Sequence, residues 1–503
     1  MENQEKDGSY SHILKYTGLF GGVQGLSILV GIVRNKLVAL ILGPDGMGLL
    51  SLFNSTIKLV SDSTNFGLSM SAVKNLSEAY DTGDDAAVRH AVRLVRSWSL
   101  FTALLGMLVC LLLSPFLDHW TFTWGNHTLH FIMLSPVVAL MAITSGETAI
   151  LKGLRQLRAL ALISVCCVLL ALVCSVPLFY EFGQSGVVPS IALFALMQCL
   201  ATIVFSFRLC RPVFSLSRSL MGEGSSMVRL GIAFVFAGIL GSGAEFVVRS
   251  YLNTSGQLTA VGLYNAGYVM TMTYAGMVFS AMETDYFPRL SGIPALGARL
   301  NQVVNHQMEV SLLLVSPLLV LFLVTLPVLL PLLYSGRFLP ILGMMKVTVL
   351  AMYFRALTLP VEYIALSRSD SHTYLLLEAI YDVAFTLLVI AGYRYLDLWG
   401  TGLGLLAASV VNFFVVMGYS RWRYHFVASR DVKVYALVQI PLGLAAYAVT
   451  SLFSGWAYWV AGMLLAALSL VLSVWALHSK SNLWHALTDR VARRLHRSHD
   501  DKQ

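Results

Sequence analysis

Runs of about 20 mainly apolar residues, each long enough to cross a bilayer as a helix, recur along almost the whole of this chain. They begin near Leu14, Met47, Val92, Thr128, Ala159, Val187, Met227, Thr259, Glu309, Pro340, Thr373, Gly400, Lys433 and Gly455. In lipid every backbone N–H and C=O must be satisfied inside its own segment, so runs of this length fold as helices. The expected fold class is therefore all-α and polytopic, with about fourteen transmembrane helices joined by short loops. Composition agrees: 57% of the 503 residues are hydrophobic and 12% charged, against roughly 25% charged in soluble domains. A water-soluble fold could not cover that much apolar surface.

The amino-terminal Met1-Glu2-Asn3-Gln4-Glu5-Lys6-Asp7 is polar, and no small-residue cleavage site follows the first apolar run. The first span is thus expected to be retained rather than removed as a signal peptide. Cys110, Cys166, Cys167, Cys174, Cys199 and Cys210 lie in or at the ends of apolar runs without metal-like spacing, which reads as packing. No cofactor or metal is expected.

Lys and Arg accumulate in short cytoplasmic loops. With both termini inside, the cytoplasmic loops hold Lys74, Arg89, Arg93, Arg96, Lys152, Arg155, Arg158, Arg208, Arg211, Arg218, Arg229, Arg289, Arg299, Arg368, Arg421, Arg423, Arg430 and Lys433, while the opposite loops hold Arg34, Lys36, Arg249, Arg337 and Arg394. That asymmetry accounts for the net charge of +8 without nucleic acid as a partner. In the tail, Trp484, Leu487, Val491 and Leu495 recur at helical spacing opposite Arg490, Arg493, Arg494 and Arg497, the pattern of a basic amphipathic helix on an anionic membrane face.

The first and seventh spans can be laid over each other. Val33-Arg34 matches Val248-Arg249, and the following spans open with Gly48-Leu49 and Gly262-Leu263. This predicts two six-helix lobes related by a pseudo-two-fold axis: residues 1–207 and 230–425, a linker at 208–229 made pliable by Gly222, Gly224, Ser225 and Ser226, two further helices at 426–478 and the basic cytoplasmic tail at 479–503.

Charge inside a bilayer is costly unless it faces a cavity or a partner. The first span carries Gln24, Ser27, Gly31 and Arg34 at spacings of three and four, the second Asn54, Lys58, Asp62 and Asn65, the seventh Gly238, Ser242, Glu245 and Arg249. Each set forms one polar stripe on a helix. Lys58, in mid-span, is either a cavity cation or half of an i,i+4 pair with Asp62. Arg34 and Arg249 near the outer helix ends read either as snorkelling or as cavity-lining residues. Arg355, with Thr358 and Glu362 on its face, pairs with an acid or meets a ligand, and Glu378 and Asp382, one turn apart, are its partners or a proton or sodium site. Glu147, Glu283 and Asp285 read as interfacial. A cavity richer in cations than anions suits a phosphorylated ligand.

The segment Gly31-Ile32-Val33-Arg34-Asn35-Lys36-Leu37-Val38-Ala39-Leu40-Ile41-Leu42-Gly43-Pro44-Asp45-Gly46-Met47-Gly48-Leu49, with its Gly-Pro-x-Gly-x-Gly turn in which Asp45 reads as a turn residue, and Leu151-Lys152-Gly153-Leu154-Arg155 resemble the polysaccharide-transporter branch of the multidrug/oligosaccharidyl-lipid/polysaccharide exporter superfamily, the O-antigen-type flippases. The resemblance implies a bacterial inner-membrane flippase that carries an undecaprenyl-diphosphate-linked oligosaccharide outward by alternating access around a cationic cavity. It implies Arg34, Lys58, Arg249, Arg355, Asn54 and Gln24 as substrate-binding residues. The candidate ion-coupling carboxylates are Asp62, Glu245, Glu378 and Asp382. The lipid bilayer and other glycan-assembly membrane proteins are the candidate partners.

Two alternatives stand beside this reading: a related multidrug or lipid II exporter, and a membrane-embedded polymerase or ligase. The second needs a long outer loop bearing catalytic groups. Here the outer loops are short, and His119, His127 and His130 read as interfacial loop residues rather than a catalytic set.

Overall fold

A computed structural model describes residues 2–210, 218–274, 276, 279, 286–287, 289–293, 295–368 and 370–480, with side chains described outside 2–28, 69–70, 157, 218–234, 273–274 and 480. The tail helix expected at 479–503 and the Glu283, Asp285 pair lie outside the described residues, as does the side chain of Gln24.

The helices are α1 (Glu2–Thr64), α2 (Leu68–Asp81), α3 (Asp85–Thr121), α4 (Thr128–Gly153), α5 (Leu157–Phe182), α6 (Val187–Leu209), α7 (Arg218–Ser255), α8 (Leu258–Tyr268), α9 (Ala298–Leu333), α10 (Leu342–Ser367), α11 (Ser371–Tyr424), α12 (Arg430–Leu452) and α13 (Gly455–Lys480). Ten stretches of the described residues are long and apolar enough to span a membrane. Three of them, Leu29–Thr64, Arg158–Leu209 and Ser371–Tyr424, each join two of the runs separated in the sequence.

The expected turn between the first two spans is a single break rather than a loop. Gly43 has φ 66° and ψ −170°, and helix resumes at once with Pro44. Glycine suits this left-handed φ because it carries no Cβ. Proline suits the first position of a new helix because it has no N–H to leave unsatisfied. In α11 the same job falls to Leu396 and Asp397, the latter at φ 50°, where Asp is among the better-tolerated non-glycine residues.

The chain divides into two compact units. The first comprises Met1–Ala266, Leu329–Ile341 and Glu378–Arg394; the second comprises Gly267–Val328, Leu342–Leu377 and Tyr395–Gln503.

In the first unit, α2 is a short helix that the hydropathy scan passes over because only one face is apolar. Leu68, Ala72 and Leu76 on that face pack with Val92, Val95 and Trp98 of α3 and with Ile150 and Leu154. The Leu151–Arg155 motif seats it. A Cβ on Gly153 would lie 2.4 Å from that of Leu76, and Arg155 forks onto Asp81 at 2.7 and 2.9 Å.

Also in the first unit, Gly48 and Gly262, the glycines matched in the expected repeat, meet each other. A Cβ on Gly48 would stand 2.3 Å from the Leu258 carbonyl oxygen, and one on Gly262 would stand 1.8 Å from that of Pro44. Thr259 donates to Asp45 across the same crossing, at a sequence offset of 214 residues, which is also the offset of Gly262 from Gly48 and of Leu258 from Pro44. Each side therefore presents the other with the same contact, as two-fold related segments do. Only small residues let helices approach this closely.

In the second unit, α12 and α13 are joined by a buried polar ladder. Ser469 donates to Gln439 Oε1 at 2.7 Å, and Gln439 Nε2 donates to Ser473 at 3.0 Å. Tyr458 anchors α13 to α9 by donating to the Val324 carbonyl at 2.7 Å. Between α10 and α11, Asp370 caps the next helix, accepting from the Thr373 amide and hydroxyl (3.2 and 2.9 Å) and from the Tyr424 hydroxyl (3.0 Å). Exposed Leu112, Val173, Leu387, Phe414, Leu437 and Leu464 give the spans the apolar exterior that lipid requires.

Candidate functional site

The polar stripes of α1 and α7 converge within the first unit. Leu52, Phe53, Ile57 and Val60 are buried on one side of α1, which leaves Asn54 and Lys58 exposed on the other. Lys58 Nζ lies 3.6 Å from Glu245 Oε2 on α7. The same oxygen receives Arg249 Nη1 at 3.0 Å, and Arg249 Nη2 donates to Asn265 Oδ1 of α8 at 3.3 Å. One carboxylate oxygen thus serves two cations, one half-exposed and one buried.

Asp62 is within the influence of Lys58, Ser242 and Glu245. The i,i+4 alternative for Lys58 is therefore not its main ion pair: the lysine reaches across to α7, and Asp62 sits beside the result. From α11, Asp382 enters the same neighbourhood with Glu378, Glu245 and Lys58. It lies against Gly241 of α7, with Asp382 Oδ2 3.7 Å from where a Cβ there would stand. Asp382 is buried, and among the described residues its Oδ2 has no hydrogen-bond partner. A buried carboxylate oxygen left in that state is costly unless a proton or a cation joins it.

The cationic balance expected from the sequence is not what this cluster holds. Lys58 has Glu245, Asp62 and Asp382 around it, Arg249 has Glu245, and Glu378 lies beside Asp382. Arg34 is not among them: its Nε donates to Ser175 of α5 at 3.1 Å, so the two repeat-related arginines have different partners. Arg355 belongs to the second unit and is exposed; Glu362, on its face, accepts instead from Asn412 at 2.8 Å. Among the described residues no three His, Cys, Asp or Glu side chains form a metal-holding group.

Two readings from the sequence are corrected. Glu147 is not interfacial and Arg96 is not in a loop. Both are buried, and Arg96 forks onto Glu147 at 2.8 and 3.1 Å while Ser206 donates to the same carboxylate. The signal was present in the sequence, since Arg96 sits in an apolar run, Leu94-Val95 before it and Trp98 after it, where a loop arginine would not. His127 is likewise buried, stacked on Phe122 with ring centroids 4.1 Å apart. Burial and neighbouring His130 lower its pKa against the opposing pull of Asp118.

The fold is that of known transporters. Lipid II flippase MurJ, in an inward closed conformation, aligns with a TM-score of 0.63 at 14% identity over 92% of this chain and 99% of that one. An inward-facing multidrug resistance MATE family transporter of the MOP superfamily aligns with a TM-score of 0.61 at 16% identity, over 82% and 96%. A MOP superfamily transporter from Pyrococcus furiosus gives 0.52 at 14%, over 81% and 93%. No curated protein matches in sequence. The chain is therefore a multi-pass membrane protein with the MOP superfamily transporter fold. Residues 13–294 match the family described as polysaccharide biosynthesis protein, and the chain belongs to that family.

Proposed function

We propose that this protein is a flippase for an undecaprenyl-diphosphate-linked oligosaccharide, moved outward across the bacterial inner membrane by alternating access. The observation that carries the reading is the shared oxygen of Glu245, held by Lys58 and Arg249 at once. A diphosphate offers the same chemistry as that carboxylate and more charge, so it competes for both cations. Protonation of Glu245, or cation binding beside it at Glu378 and Asp382, would release Lys58 and Arg249 to take the diphosphate. Loss of that proton or cation would restore the internal pair and expel the cargo. In this reading Asn54, one turn from Lys58 and exposed like it, takes a sugar hydroxyl. Roles for Arg34, Arg355 and Gln24 rest on the family resemblance alone.

The test is display of surface glycan in a host lacking its own flippase, with Lys58→Ala and Arg249→Ala singly and together at matched protein levels. The proposal expects the double variant to be inactive, and full glycan display would overturn it. The excess of carboxylates supports a second reading, export of an organic cation, since acidic residues suit such a cargo. Resistance to cationic dyes with no effect on glycan display would select it.

A further inference from the structure

A cavity of about 280 Å³ lies in the first unit, between α4 and α6, and shares no residue with the Lys58 cluster. Met141, Thr144, Ser145, Thr148 and Lys152 line it from one face of α4, at spacings of three, one, three and four, and Gln198 lines it from α6. α4 is long and apolar enough to span a membrane, so three hydroxyls, an amide and an ammonium on one cavity need an explanation. Thr144 satisfies itself on the Leu140 carbonyl at 2.7 Å. Among the described residues no hydrogen bond or ion pair engages the side chains of Ser145, Thr148, Lys152 or Gln198.

The sign of the cavity is unambiguous. No carboxylate lines it. Glu147, on the same helix, is spent on Arg96, and Arg155 is spent on Asp81. The negative end of the α4 dipole disfavours an anion there, and Lys152, in the last turn of that helix, reverses the local sign. Depth separates the donors into two levels. At about 1.5 Å per residue, Thr148 lies ~6 Å and Ser145 ~10 Å deeper than Lys152 along the helix. A volume of about 280 Å³ is enough to admit a lipid headgroup.

We propose that this cleft binds the phosphate of a membrane glycerophospholipid. Lys152 and Thr148 take the phosphate oxygens, and Ser145 and the Gln198 amide donate to the ester carbonyls that lie just below a phosphate in a bilayer. The lipid enters at the helix end that the Lys/Arg pattern assigns to the cytoplasmic leaflet. The site does not depend on the transport reading.

The whole chain, delipidated in detergent, can be titrated with dioleoyl phosphatidylglycerol, with dioleoylglycerol, which lacks the phosphate, and with inorganic phosphate, and followed by native mass spectrometry and melting temperature. Phosphatidylglycerol should be retained and should raise the melting temperature; dioleoylglycerol should do neither. Ser145→Ala/Thr148→Val/Lys152→Gln should weaken phosphatidylglycerol retention about tenfold, the scale of a lost charge-assisted hydrogen bond, while Lys152→Arg should keep it. Equal retention of the two lipids overturns the proposal, as does unchanged phosphatidylglycerol retention in a triple variant that melts like the parent. Displacement of the lipid by an equal concentration of inorganic phosphate would assign the cleft to a free anion and overturn the lipid assignment.

Discussion

Replacing Glu245 by Gln should free two cations at once and make the protein bind a diphosphate lipid too well. Arg249 Nη1 lies 3.0 Å from the carboxylate and its side chain is 8% exposed, so the charged hydrogen bond is worth ~1.5–3 kcal/mol. Lys58, at 3.6 Å and 49% exposed, adds only ~0.2–1 kcal/mol. Glutamine keeps an acceptor oxygen but removes the charge, so roughly half of the total is released, ~1–2 kcal/mol, which is about a 5- to 30-fold tightening of an anion's binding. Binding of undecaprenyl diphosphate to the solubilised protein measures this directly. E245Q should bind more tightly than the parent yet display less surface glycan, because release is slowed, and K58Q/E245Q should return toward the parent affinity. An E245Q protein that melts normally and binds the lipid no more tightly would refute the shared-carboxylate reasoning.

Gly262→Ala places a Cβ 1.8 Å from the Pro44 carbonyl oxygen. The segments must part by about 1.5 Å, at a cost of ~1–3 kcal/mol, and an unchanged melting temperature would contradict the crossing. Arg96→Leu strands Glu147 in the interior and should cost ~3–5 kcal/mol, whereas Arg96→Met/Glu147→Leu should recover most of that loss in the same thermal assay. Asp370 has its pKa held below the usual carboxylate range: burial pushes it up, but hydrogen bonds from the Thr373 amide and hydroxyl and from Tyr424, with Arg423 nearby, outweigh it. Its contribution is therefore present above the unfolded carboxyl pKa and lost as pH falls through the lower folded value. Asp370→Asn should flatten the acid limb of a stability-against-pH curve, and an unaltered limb would show that the cap does not titrate.

Most of the fold was legible because lipid enforces it: long apolar runs have one stable backbone, and loop charge orders them. What remained hidden depended on distance in space. Helix α2 is hidden because an amphipathic stretch of modest hydropathy does not resemble a span, and its partners lie on α3 and at the end of α4. The stripes on α1 and α7 were visible as stripes, but period alone does not say which stripe faces which, so Lys58 was weighed against Asp62 on its own helix rather than against Glu245 across the gap. The charge balance is hidden for the same reason: Asp382 is far along the chain, and only folding brings it to Lys58. Arg96 and Glu147 are the converse case, since a charge near a helix end reads as solvated in the sequence and only the fold supplies the partner with which it is buried.

The crossing of Gly48 over Gly262 has a consequence for how the chain avoids assembling wrongly. A surface that accepts its own counterpart does not discriminate between the counterpart in its own chain and the same segment of a neighbour, so the amino-terminal half alone carries what a homodimer would need. Covalent linkage settles the competition by raising the effective concentration of the segment that belongs to the same chain. If the halves were made as separate polypeptides, the mixture would have to sort like-with-like from like-with-unlike, and the small differences between the two sides of the crossing, Thr259 where the other side has Asp45 and Leu258 where it has Pro44, would be all that selects the mixed pair at that point.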